Sequence, residues 1–422
     1  GMLILNAGEI AHLGHSSNPQ PLAGTEMLDR ESNIWVGGLG ILIEDGIIKS
    51  IEDSQSLQSE YAPDWKGESR DTKLDIIDAE GRAIIPGLVD SHTHLIWGGD
   101  RSSEMRMRQA GMTYRKIAEM GGGIRRTVDS TRSMSLDDMV TVGISRANEA
   151  ARNGTCALEA KSGYGLDTET ELKLLQATSI ASDKSLIDIL PTWLGAHDFP
   201  LGMKRASYMD ELLNEQIPKV ASQGIARWCD VFCETGWYTN EETEDIVNHA
   251  ADFGLGSRLH VDEFEDSGGL ALAAELGSVS ADHVAHSSAE SRQAAADSGT
   301  MQTFLPGTPY VLGTPLNLPL NDCIENNWAF SLATDFNPNC RIISQPLVAN
   351  LCCTRMGLDP FAALVSCTRN PASTLSDASV TGTIGVGASA NLNIVWSQSI
   401  DGWCQTPGES PFTHTIISGS IV

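Results

Sequence analysis

The chain lacks any apolar run approaching the roughly 20 residues that a membrane-spanning helix requires, so no membrane partner is expected. Paired cysteines are missing too. The nine at 156, 229, 233, 323, 340, 352, 353, 367 and 404 are scattered, odd in number and contain no Cys-x-x-Cys, which argues against a disulfide framework and a zinc finger. Basic residues are scarce: 28 Lys and Arg against 55 Asp and Glu leave a formal charge of −27, a field that repels a phosphate backbone and disfavours nucleic acid. An anionic small molecule would need cations gathered locally. Low-complexity tracts are absent as well, and the glycines of Met120-Gly121-Gly122-Gly123-Ile124 lack the spacing of a nucleotide cradle, so they read as a loop closing over the fold. Gly1 reads as a remnant ahead of a native start at Met2, and residues 2–8 are too short and uncharged for a secretory signal; the expected location is the cytoplasm.

What remains is the composition of a soluble globular protein, 41% hydrophobic and 20% charged over 422 residues, long enough for a barrel of about 250 residues plus a smaller partner. Residues 2–83 hold short alternating apolar segments, 34–43 and 46–51 among them, separated by polar turns at 53–60 and 62–71. Residues 381–422 have the same texture. The two ends are expected to pair in one composite β-sandwich, 2–83 plus 377–422, around a central domain at 84–376.

Within that centre an apolar, β-branched strand pattern recurs eight times, at 84–95, 156–161, 186–194, 227–234, 258–263, 280–284, 300–305 and 328–335. Amphipathic stretches at 136–152, 168–182, 208–223, 241–253 and 268–276 fill intervals at helical spacing. Eight such units predict an α/β fold, a (β/α)8 TIM-type barrel, with its active site at the carboxyl ends of the strands.

Those ends carry His92 and His94, then Lys161, His197, Glu234, His260 with Glu263, His283 and Asp335. Five of the ten histidines fall here, which scattered core histidines would not do. His92 and His94, two apart on a strand, share a face and supply two ligands to one metal. With His260 and Asp335 they make a set suited to one divalent ion, Zn2+ or Fe2+, leaving a position for water whose pKa the ion lowers towards about 7. Glu263 can bend over that position as a proton shuttle. His283 can polarise a carbonyl or take a proton; its alternative as a ligand to a second metal needs a bridging carboxylate, for which Glu234 is the candidate.

The motifs PGLVDSHTHL, KSGYGL (161–166), WLGAH (193–197), DVFCE (230–234), HVDEF (260–264), LPGT (305–308) and ATDFNP (333–338), in this order, resemble the imidazolonepropionase family of the amidohydrolase superfamily. The resemblance spans 84–371. It implies hydrolysis of the ring amide of 4-imidazolone-5-propanoate to N-formimino-L-glutamate, a step of histidine degradation, with one bound metal held by His92, His94, His260 and Asp335. It also implies substrate contacts at Arg101, Tyr114, Tyr164, His197, Glu263 and Asn337. The chemistry agrees: a propanoate tail wants a bidentate cation, which Arg101 offers, and Tyr164 and His197 can hydrogen-bond the tail or the ring. The resemblance also implies substrate contacts at Asn339 and Cys340, where this chain departs from the family's usual glycine followed by Ser or Thr, and a thiol is a weaker donor than a hydroxyl.

Three rivals are carried forward: a cyclic-amide hydrolase with a shifted substrate, a cytosine- or guanine-type deaminase, and a non-catalytic barrel that only binds. A deaminase has little use for Arg101, and a binding protein would have lost metal ligands. The expected partner is a small anionic substrate, and a homodimer is compatible with the chain.

Overall fold

The computed structural model describes residues 1–67 and 74–422. Positions 68–71 of the polar turn expected at 62–71 lie outside the described residues. The chain divides into two compact units, one of Gly1–Asp90, Glu149–Ala157 and Ser344–Val422, the other of Ser91–Asn148 and Leu158–Ile343.

The first unit brings the chain ends into one mixed sheet. Met2–Ala11 pairs antiparallel with Ile34–Glu44 and parallel with Asp75–Asp78, while Leu392–Val395 lies between Ile84–Pro86 and Phe412–Ile417. Alternation along Met2–Ala11 sends Met2 and Ile4 to one apolar cluster and Leu3 and Leu5 to another. Ile43 and Ile48, near one edge of the strand order, share a cluster with Ile416 near the other. A flat sheet would hold them apart. The composite unit is therefore one continuous eight-stranded sheet curled about its own core, where two facing sheets were expected.

Residues 84–95 form two strands, with the break at Gly87. Pro86 has no N–H to continue a ladder, and a Cβ at Gly87 would sit 2.6 Å from Cys156 Sγ. Ile84–Pro86 joins the curled sheet; Leu88–Thr93 begins the barrel.

We number the barrel strands β1 (Leu88–Thr93), β2 (Thr155–Lys161), β3 (Asp188–Ala196), β4 (Trp228–Cys233), β5 (Gly256–Val261), β6 (Ser280–His283), β7 (Met301–Phe304) and β8 (Phe330–Leu332). They are neighbours in sequence order. Nearly every residue on them is buried, because each strand is covered on both faces, and so they read as apolar runs. The ring closes where Asp335 N–H donates to the His92 carbonyl at 3.0 Å and His94 N–H to the Phe336 carbonyl at 2.8 Å. That closure sets Asp335 beside the two histidines of β1. Among the described residues, no helix is long and apolar enough to cross a membrane.

Candidate active site and metal centre

At the carboxyl ends of the strands the side chains of His92, His94, His260, His283 and Asp335 converge. Ligand atoms of His92, His94 and His260 lie within 4.8 Å of one another, as do those of His92, His283 and Asp335. His94 Nε2 is 3.4 Å from His260 Nε2, and Asp335 Oδ1 is 3.3 Å from His92 Nε2 and 3.4 Å from His94 Nε2. His92 Nε2 is buried without a hydrogen-bond partner, a costly state for an imidazole unless a cation takes the lone pair. Thr308 Oγ1 donates to Asp335 Oδ2 at 2.5 Å.

Backbone strain helps the convergence. His283 has φ +78° and Val284 φ +44°, left-handed values that turn the chain sharply at the end of β6, and Asp335 has φ +52°. His283 Nε2 thereby comes within 3.4 Å of Glu263 Oε2.

The imidazoles are held from behind by groups that the strand pattern alone did not single out. Asp282 Oδ2 accepts from His92 Nδ1 at 2.6 Å and Asp230 Oδ2 is 3.0 Å from His260 Nδ1; such partners fix the tautomer so that Nε2 faces the centre. Lys161, Glu159 and the two aspartates form one buried charged cluster below. A readable signal did exist: Glu159 and Lys161 are two apart on β2 and so share a face, as do Asp230 and Phe232 on β4.

The electrostatics separate the two nearby carboxyl groups. Burial pushes Glu263 well above the usual carboxylate range, reinforced by the charges of Asp335 and Glu234. Burial acts the same way on Asp335, but the imidazoles of His92 and His94 outweigh it and hold it well below that range. Burial also lowers His94 and His283, each to about 3, so both are neutral. His92 goes the other way, to about 9: burial and Lys161 oppose its protonation, and the carboxylates of Asp282 and Asp335 win. Neutral His94 beside anionic Asp335 is a donor pair that suits a cation.

Above the cluster is an open-mouthed pocket of about 390 Å³ of empty space. Arg101, Tyr114, Tyr164, His197, Glu263, Asn337 and Asn339, all expected from sequence, line it together with His94, His260, His283 and Asp335. Phe232, Ile124 and Thr308 are lining residues that sequence reasoning missed. Tyr164 and Arg101 are buried, at 2% and 4% exposure. Arg101 Nε and Nη2 donate to Glu104 Oε2 at 3.1 and 2.9 Å, while Glu104 Oε1 accepts from Gly123 N–H at 2.8 Å. Gly123 has φ +68°, so glycine is what lets the 120–124 loop bend down and Ile124 reach the pocket. His197 Nδ1 donates to the Gly163 carbonyl at 2.9 Å, which leaves Nε2 of a neutral ring as an acceptor.

One expectation changes. Cys340 does not line the pocket; Asn337 Oδ1 accepts from the N–H groups of Asn339 and Cys340, and this turn buries the thiol, whose Sγ is 3.8 Å from the Thr334 carbonyl. Asn339 does line it, with Oδ1 accepting from Arg108. Glu234 is outside both ligand groups: Oε2 accepts from Glu263 N–H at 2.7 Å and Phe264 N–H at 3.3 Å, so it anchors the backbone that carries Glu263. Asp262 accepts from Gly269 and Leu270 N–H at a helix start.

Comparison with known proteins agrees with this geometry. An amidohydrolase family profile matches residues 75–143. The imidazolonepropionase of Symbiobacterium thermophilum is 37% identical over 400 residues, 93% of this chain and 90% of that protein. The imidazolonepropionase of Haloarcula marismortui is 35% identical over 359 residues, 85% of this chain and 84% of that protein. Among solved structures, 5-methylcytosine deaminase from Klebsiella pneumoniae superimposes with TM-score 0.71 at 17% identity, covering 100% of this chain and 98% of that one. At that identity the likeness is one of fold.

Proposed function

The chain belongs to the imidazolonepropionase family of amidohydrolases, and from that premise we propose how its own residues hydrolyse the ring amide of 4-imidazolone-5-propanoate to N-formimino-L-glutamate. The observation that carries the reading is a buried arginine, Arg101, lining the same pocket as Glu263 and the His–Asp cluster in a protein of charge −27. An acidic enzyme that buries a guanidinium at its reactive centre is built for an anionic substrate.

The residues fit a divalent cation: His92, His94, His260 and Asp335 would hold it, and we propose one ion per chain, Zn2+ or Fe2+. When bound, such an ion supplies Lewis acidity and lowers the pKa of water towards about 7. Arg101 binds the propanoate, with Tyr114 and Tyr164 beside it. His197, an acceptor through Nε2, holds a ring N–H, and Asn337 and Asn339 border the mouth. Glu263 takes the proton of the attacking water and returns it to the ring nitrogen as the C–N bond breaks, a task suited to a carboxyl group whose pKa burial has raised. Neutral His283, 3.4 Å from Glu263, orients that carboxyl and faces the substrate carbonyl. Asp335 stays anionic, offsetting the cation. Residues 84–376 are proposed as the catalytic domain and 2–83 plus 377–422 as its scaffold. Nine free thiols, most of them buried, favour a reducing compartment such as the cytoplasm.

The test is loss of imidazolonepropanoate absorbance on adding purified protein, with metal measured on the same sample. Unchanged absorbance from a metal-loaded sample refutes the reading. Near two metals per chain, with activity following the second, refutes the single-ion site and would bring His283 in as a ligand.

A further inference from the structure

One buried ammonium takes no part in the reaction described above. Lys161 Nζ is 2.5 Å from Glu159 Oε2, 2.8 Å from Asp230 Oδ2 and 3.8 Å from Asp282 Oδ2, and all four side chains are fully buried. Each aspartate oxygen it faces also serves an imidazole: Asp282 Oδ2 is 2.6 Å from His92 Nδ1, and Asp230 Oδ2 is 3.0 Å from His260 Nδ1. Glu159 completes the frame, its Oε2 accepting from Thr192 Oγ1 of β3 at 2.7 Å while its carbonyl accepts from Thr93 Oγ1 of β1 at 2.7 Å. Lys161 thus sits behind ligands from two strands that are not neighbours, β1 and β5.

We propose that Lys161 is a positioning residue that binds the Asp230 and Asp282 carboxylates into one unit, so that His260 and His92 are aimed together at the metal. The inference rests on the metal reading given above. Removing the ammonium takes a positive charge from beside three buried carboxylates, on which the buried Arg258 also acts. Such a cluster relieves itself by turning a carboxylate away, which releases the imidazole it holds. Its distance from the substrate pocket also matters: Lys161 is not among the lining residues, so its effect must pass through the aspartates.

The opposing effect is simple repulsion, since a positive charge behind the ligands also disfavours a divalent ion. The two make predictions of opposite sign. Lys161→Met and Glu159→Gln in the full chain would be compared with the parent for Zn2+ affinity by chelator competition, for the visible spectrum with Co2+, and for unfolding without metal. Loss of a group that orients metal ligands typically costs about 10–100-fold in affinity. Lys161→Met is expected to fall in that range with an altered Co2+ band, and Glu159→Gln, which keeps the ammonium and loosens its frame, to fall less. Tighter or unchanged Zn2+ binding by folded Lys161→Met overturns the proposal, as does weaker binding with an unaltered Co2+ band, which would mark general destabilisation. If Lys161→Met fails to fold, Glu159→Gln decides alone, and unchanged affinity overturns it. A parent that binds neither Zn2+ nor Co2+ brings down the metal reading itself, and this inference with it.

Discussion

Two buried cations, Lys161 below the histidine cluster and Arg101 above it, meet the same physical problem in different ways. Lys161 is surrounded by Glu159, Asp230 and Asp282, does not reach the pocket, and its charge is consumed inside the protein. Arg101 is paired with the Glu104 carboxylate and still borders the pocket. Burying a charge is tolerable only when it is paired and hydrogen-bonded. The lower cation meets that condition permanently, whereas the upper one keeps a face for a ligand. What differs is the number of carboxylates supplied, and that difference separates a residue that shapes the site from one that reads the substrate.

The comparison can be sharpened at Glu263, which lies between the two layers. Glu263→Gln should keep full metal content, since no ligand is touched, and lower turnover by about 10²–10⁴-fold through loss of the proton shuttle. Turnover within a few-fold of the parent would move Glu263 out of the chemistry.

Arg101→Met breaks the comparison directly. A charge-assisted hydrogen bond is worth about 1.5–3 kcal/mol, so KM for imidazolonepropanoate should rise about tenfold to a hundredfold with metal content unchanged. A neutral analogue without the carboxylate should be handled equally by both proteins. If metal is lost as well, Arg101 belongs with the structural cation; if both substrates weaken alike, it is supporting the 120–124 loop through Glu104.

A smaller effect is expected from Asn339→Gly, which restores the residue usual in the family and frees Arg108. KM should change by a few-fold while the metal and thermal stability stay put. A loss of folding would show instead that the Asn339–Arg108 contact holds the rim.

The smallest expected effect concerns Glu234, whose carboxyl burial pushes up from 4.5 to about 7 despite three backbone N–H donors. Because its folded-state pKa is raised, its contribution to stability is fully present at pH below about 4.5 and is lost as pH rises through about 7. The parent should therefore lose thermal stability relative to Glu234→Gln between about pH 5 and pH 8. Parallel curves across that range would mean that the N–H donors have cancelled the burial.

Much of this site could be read without coordinates. His92 and His94 share a strand face by spacing, and His260, Glu263 and Asp335 follow from locating strand ends, because a barrel collects those ends at one rim. Asp230, Asp282 and Glu159 escaped notice for a physical reason. Asp282 acts on His92 across 190 positions and Asp230 on His260 of another strand, and such pairs depend on barrel register, which periodicity within one strand does not report; Glu159 was legible only by its spacing from Lys161. Cys340 went astray differently. Its position in the chain was right, but the Asn337 turn rotated the thiol inward.

By itself, then, the sequence determined the order of eight strand–helix units and the polar residues at seven of the strand ends, since both follow from local periodicity and turn chemistry. Tertiary structure alone decided which buried carboxylate backs which imidazole, that one lysine faces two of those carboxylates, that Glu234 accepts from the backbone of Glu263 and Phe264, and that the terminal strands curl into a single sheet. Those outcomes depend on ring closure and on the strained turns at His283 and Asp335, where residues far apart in the chain are forced within hydrogen-bonding distance.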